Sequence, residues 1–178
     1  MFPNNGKDRL WIIFQHRGKN PGFHWAFLLS PKNESNDTWS TAYDITNSIL
    51  MGADGTGNWV DLNPDSQWRY RGLRQIQPLR LGDLICRALI AKPKPGLAQA
   101  IEDVLSKVGI REGDTCRIWL LRALTVLKGL FPDIPDPSTL EAPATAFAER
   151  SKALLVGPQP TLWITNIADY PVADFRER

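Results

Sequence analysis

Apolar positions in the first half of the chain either alternate with polar ones or run unbroken for four to six residues, and in the second half they recur at helical spacing. Arg9–Arg17 (RLWIIFQHR) is dominated by β-branched and aromatic residues and predicts a strand. Gly18–Gly22 (GKNPG) predicts a turn, and Phe23–Ser30 (FHWAFLLS) the returning strand of a hairpin. Polar Lys32–Thr38 is a loop, and Trp39–Thr46 (WSTAYDIT) a third strand. Asn47–Gly57 reads as a flexible excursion through GADGTG, followed by a short strand over Asn58–Leu62. Trp68–Ile76 and Leu84–Ala91 (LICRALIA) are further strand candidates; the second is a continuous apolar run with one arginine, as in a well-buried strand.

After the breaker Lys92–Gly96 (KPKPG), residues Leu97, Ile101, Val104, Leu105 and Val108 share one face of a helix over Leu97–Val108. The strongest helix spans Thr115–Leu130, with Asp114 as the expected N-cap and Phe131-Pro132 as the stop. FPDIPDP is a stiff linker to a third helix over Leu140–Leu155, ended by Gly157–Pro160. Thr161–Ile167 reads as a last strand or an extended arm, and the terminal DFRER as frayed. Strands first and helices afterwards predict an α+β fold, an antiparallel sheet packed against helices.

Length adds to this picture. The 178 residues suit a single domain over 1–178, with a core at about 9–130 and a C-terminal extension over 131–178. A formal net charge of +2 without a basic block argues against a nucleic-acid partner. No apolar run approaches membrane-helix length, which argues against stable membrane insertion. The N-terminus lacks the pattern of a secretory signal, so a cytoplasmic, reducing location is expected, with Cys86 and Cys116 as free thiols. No CxxC or HExxH spacing suggests a metal, and no motif implies a cofactor.

Cys116 follows the expected cap and therefore lies in the first turn of a helix, where unpaired N–H groups and the helix dipole favour a thiolate. Its ordinary alternative is a structural thiol, the reading that Cys86 receives within LICRALIA. His24 is the candidate base and acid for Cys116, with His16, beside a charged turn, as its competitor. Asp44 in the next strand is placed to orient His24; Tyr43 and Thr46 are weaker substitutes. Gln15 is a candidate oxyanion donor beside the Cys116 N–H. Trp25 and Trp119, two of seven tryptophans, are candidate substrate contacts; core filling is the ordinary role for most of the seven. GADGTG lacks the Lys-Ser/Thr of a phosphate loop, and DGTGNWVD resembles a calcium loop in composition without its ligand spacing.

The order of these parts resembles a known arrangement. A hairpin whose second strand opens with His24-Trp25-Ala26, a polar Asp44 on the next strand and, roughly ninety residues after His24, a cysteine opening a helix (GDTCRIWLLRAL) look like the circularly permuted papain-like cysteine enzymes, NlpC-type and lecithin:retinol acyltransferase-like. The chain also resembles a set of uncharacterised fungal proteins that share the His-Trp-Ala strand, a strand of the ALIAK kind and the Cys-x-x-Trp start of Cys116–Trp119, a likeness over roughly Arg9–Leu130. The first resemblance implies a permuted papain-like fold and a Cys116 nucleophile, with His24 as base and Asp44 as orienter. It departs from the acyltransferases at Thr115-Cys116-Arg117-Ile118, where they usually have Asn-Cys-Glu-His, and at Asp44, where they often have histidine. The expected function is a cysteine hydrolase or acyltransferase acting on an ester, thioester or amide of a small apolar, acyl or peptidyl substrate. The alternatives are a non-catalytic module with a tryptophan-lined groove for peptide or lipid, and a protease or isopeptidase.

Overall fold

The computed structural model describes residues 6–18, 20–49, 51–156 and 164–177. The expected helix stop at 157–160 and the first half of the strand expected over 161–167 lie outside them. Eight strands form in chain order: β1 (Arg9–His16), β2 (Phe23–Ser30), β3 (Ser40–Thr46), β4 (Met51–Ala53), β5 (Trp59–Asp61), β6 (Arg69–Ile76), β7 (Leu84–Ala91) and β8 (Val172–Asp174). The helices are α1 (Ala98–Leu105), α2 (Cys116–Leu127) and α3 (Pro137–Val156). The fold is α+β, as expected. Among the described residues no helix is long and apolar enough to cross a membrane.

Six strands make one sheet in the order β6-β3-β2-β1-β7-β8. Every pairing in it is antiparallel except β7 with β8, which is parallel. The purely antiparallel expectation is thus corrected at one edge: the C-terminal segment returns alongside β7 instead of fraying. Phe175 N–H continues that edge by donating to Leu89 C=O, and Lys128 Nζ holds the Glu177 carboxylate.

β1, β2 and β7 read as continuous apolar runs because both faces of the sheet are covered. On the front face, Leu10, Ile12, Phe14, Trp25, Phe27, Leu29 and Tyr43 pack under the three helices, with Trp119 and Leu120 of α2 over the centre. On the back face, Trp11, Ile13, Ala26, Leu28 and Ala42 pack under Ile167 and Tyr170 of the C-terminal segment. Arg87, nearly buried there, donates to Ile167 C=O, pairs with Glu34 and stacks over the Trp11 ring, so its charge is met on three sides.

Two local expectations change. Residues 47–57 are not a loose excursion, because β4 and β5 pair as a hairpin. Its turn is organised by the Asp54 carboxylate, which accepts from Thr56 N–H, the Thr56 hydroxyl and Asn58 N–H. The N-cap of α2 is Thr115 rather than Asp114: Thr115 has extended backbone angles and its Oγ1 accepts from Ile118 N–H at 3.3 Å. Asp114 instead accepts from Arg111 N–H and pairs with Arg122, nearly two turns into the helix.

If the back face depends on the C-terminal segment, Ile167→Ala removes buried surface and lowers the unfolding free energy by about 2–5 kcal/mol. Val172→Ala, at a half-exposed position on the parallel edge, changes it by no more than about 0.5 kcal/mol. Urea midpoints of the two variants check this contrast, and equal midpoints would show that the segment does not seal the sheet.

Candidate active site

The site lies where the sheet comes apart. β2 pairs with β3 only over Phe27–Leu29 against Thr41–Tyr43. Beyond that, the first residues of β2 keep their partners in β1, with His24 opposite Gln15, but have none in β3. The start of α2 fills the gap. The Cys116 thiol donates to Phe23 C=O at 3.8 Å, and the Trp25 N–H faces the sulfur. The nucleophile candidate is thus held by backbone that a continuous ladder would have consumed.

The two-residue period puts His24 and Asp44 on the sheet face of Ala26, Leu28 and Ala42, opposite the face of Trp25 and Tyr43. Their side chains close the splayed strands with a bond of 2.7 Å between His24 Nε2 and Asp44 Oδ2. The sequence expectation placed these three residues together, and the structure brings Cys116, His24 and Asp44 into one cluster.

Asp44 is completely buried, and its charge is met by more than histidine. Arg71 of β6 binds it through two nitrogens, Nε to Oδ1 at 2.9 Å and a terminal nitrogen to Oδ2 at 2.6 Å. Arg74 adds a contact to Oδ2 at 3.3 Å. Residues three apart on a regular strand face opposite ways. Here a bulge intervenes: Asp44 pairs with Arg71 and Ala42 with Arg74, so three steps on β6 match two on β3. Leu73 takes the left-handed backbone conformation, φ 48°, that the extra residue requires. Reading Trp68–Ile76 as a strand left this out; its surplus of arginines opposite a strand carrying one aspartate was the available signal.

The electrostatics follow from this arrangement. Burial disfavours the charged imidazole, but the Asp44 hydrogen bond and the proximity of Cys116 outweigh it and raise His24 to about 9. Burial likewise works against the Asp44 carboxylate, yet His24 and Arg71 hold it down at about 2. For Cys116, burial pushes the thiol up, while His24, the Trp25 N–H and the Arg17 charge bring it below an ordinary thiol. Both shifts run toward an ion pair, thiolate beside imidazolium. His24 therefore contributes stability that is fully present below about pH 6.5 and is lost as pH rises through about 9. Asp44 contributes stability present above about pH 3.8 that is lost as pH falls through about 2.

Two cavities flank the cluster. One of about 290 Å³ reaches Cys116 and is lined by Pro21, Phe23, Trp25, Thr145 and Glu149. The last two belong to α3, so the C-terminal extension walls the site. The other, of about 500 Å³, reaches His24 and is lined by Gln15, Arg71, Arg74 and Asp83 among others; Arg17 borders both cavities. Trp25, an expected substrate contact, lines the Cys116 cavity and packs edge-on against Phe14. Trp119 does not. It is fully buried, donates to Val108 C=O at 3.0 Å and packs on Phe27 and Tyr70, because three residues past Cys116 the helix turns its side chain to the sheet. Gln15 lines the His24 cavity rather than that of Cys116, and its amide donates to Asp83 Oδ1 at 2.9 Å. His16 stays outside the cluster, accepting from Gly18 N–H. Cys86 is a buried core thiol that burial pushes up to about 12.

A family model matches residues 7–158, which include every residue of the cluster. The chain belongs to DUF6914, a family of unknown function. No curated protein and no solved structure matches it. What this DUF6914 chain does must therefore be argued from its own atoms.

In Asp44→Asn the imidazolium loses its carboxylate and faces Arg71 and Arg74 unneutralised. His24 should then titrate about two pH units or more below the native protein. Imidazole NMR over pH 5–10 measures this directly, and an unshifted His24 would mean that the clamp does not set its basicity.

Proposed function

We propose that this protein is a cysteine-dependent hydrolase or acyltransferase, on a fold of the permuted papain-like kind, that works through an acyl-enzyme on Cys116. The observation that carries the proposal is the His24 imidazole set between the Asp44 carboxylate and a thiol at the start of α2. A structural cysteine requires neither the imidazole nor the clamp behind it. The nucleophile's place after the histidine in the chain, on a helix packed over an antiparallel hairpin, supports the fold reading.

In the first half-reaction the Cys116 thiolate attacks the carbonyl carbon of an ester, thioester or amide. The oxygen that gains charge is met by the N–H groups of the first turn of α2, whose Ile118 N–H alone is taken by the cap. Collapse breaks the bond to the leaving group, and His24 gives its proton to the departing heteroatom. A thioester on Cys116 and a neutral His24 remain. In the second half, water or another nucleophile gives a proton to His24 and attacks the thioester, releasing acid or transferred acyl group and restoring the ion pair. Asp44, held by two arginines, keeps Nε2 of His24 engaged, so Nδ1 is the nitrogen left for the reaction. Trp25, Phe23 and Pro21 offer the acyl portion an apolar wall.

The first test is iodoacetamide alkylation of the native protein as a function of pH. Cys116 should react about tenfold faster near pH 7 than an ordinary thiol. Cys86 should stay unlabelled, and His24→Ala should slow Cys116 and move its profile upward. An ester and thioester panel should then leave an acyl adduct on Cys116, visible by intact mass and absent from Cys116→Ala. A slow thiol unchanged by His24→Ala, with no adduct, would overturn the proposal and leave a binding scaffold.

A further inference from the structure

We propose that the larger cavity, on the His24 side, is the subsite for the leaving group, and that it takes a leaving group bearing an anionic oxygen group, carboxylate or phosphate, together with an N–H or O–H donor. This rests on the reading of Cys116 and His24 given above.

Position makes the first part of the case. His24 returns its proton to the departing atom, so that atom must be released on the side of the imidazole. The cavity that His24 lines is the larger one, while the smaller carries the apolar wall and the thiol. Arg17 borders both cavities, so a substrate that passes from Cys116 along Arg17 would extend into both.

Charge makes the second. Arg17, Arg71 and Arg74 line the cavity with the His24 imidazolium, and the carboxylates near them are Asp83 and, behind the arginines, Asp44. Asp83 already accepts from Gln15, and Asp44 is shared among Arg71, Arg74 and His24. Arg17 forms no ion pair among the described residues. With the His24 imidazolium balanced by the Cys116 thiolate, three guanidiniums stand against two carboxylates, and the one positive charge left over is not met by a neutral or cationic leaving group.

Unmet hydrogen bonds make the third. Two buried atoms at this cavity lack partners among the described residues, the donor Nε of Arg74 and the acceptor Oε1 of Gln15. Gln15 is more than nine-tenths buried, so solvent does not freely satisfy it. Neither atom opens on the cavity in this conformation, so a side-chain shift brings an anion oxygen to Arg74 and an N–H or O–H to Gln15. Such a pocket rejects a leaving group that lacks them, because both atoms then stay unpaired.

The test titrates the full-length protein with N-acetylglycine, with inorganic phosphate and with neutral N-acetylglycinamide, following arginine Nε–Hε resonances by NMR. The Arg74 signal is assigned by its loss in Arg74→Lys. One or both anions should shift it saturably, the neutral amide should not, and Arg17→Gln should weaken the anion about tenfold. The stronger of the two anions identifies the group as carboxylate or phosphate. No saturable shift from either anion, or an equal response to the neutral amide, overturns the subsite. If iodoacetamide shows a reactive Cys116 while the arginines stay silent, the subsite fails and the thiol chemistry stands. If anions bind beside an ordinary thiol, the leaving-group assignment fails together with the reaction.

Discussion

A carboxylate with no access to water organises this end of the molecule. Asp44 alone in the sheet would cost several kcal/mol or would pick up a proton. It does neither, because one imidazole and two guanidiniums converge on its two oxygens. Three strands are bound together by that convergence: β2 through His24, β3 through Asp44 itself and β6 through Arg71 and Arg74. The arginines also limit what the carboxylate does to histidine. They draw part of its charge, so the imidazole keeps a partner in one orientation while remaining able to give up its proton.

The reactive cluster belongs to no single layer. Its thiol comes from a helix on the front, its imidazole and carboxylate point toward the back, and the meeting place is the opening between two strands that stop pairing early. Each layer holds the other in place. The helices cover the front core, the C-terminal segment covers the back, and α3 contributes the Thr145 and Glu149 wall. The chemistry proposed for Cys116 is consequently conditional on tertiary packing; neither the hairpin nor the helix would carry it alone.

How much of this was legible in the sequence depended on whether a feature was local. β2 and β7 have the expected bounds, because apolar runs flanked by turn residues leave little choice. The α2 start was off by one cap, since Asp114 and Thr115 both carry an oxygen suited to the job and only packing of Arg122 decides between them. Trp119 was assigned to substrate because a tryptophan near a reactive cysteine suggests contact, whereas helical geometry turns it inward. Arg71 and Arg74 were missed for a different reason. On a strand of mixed exposure, arginines read as solvated, and nothing in their spacing announces a bulge. Nor does any local pattern reveal that residues beyond 131 reach back to the thiol.

The bulge in β6 has an implication beyond geometry. Half of the clamp on Asp44 is encoded by a count of residues rather than by their identities. Pairing β6 regularly at its present length, without the bulge, would leave every one of these side chains in the chain and still turn one guanidinium to the opposite side of the sheet. On the proposed chemistry, a chain that keeps Cys116, His24 and Asp44 is thus open to inactivation through a shift of parity, an event that a comparison of site residues alone does not register.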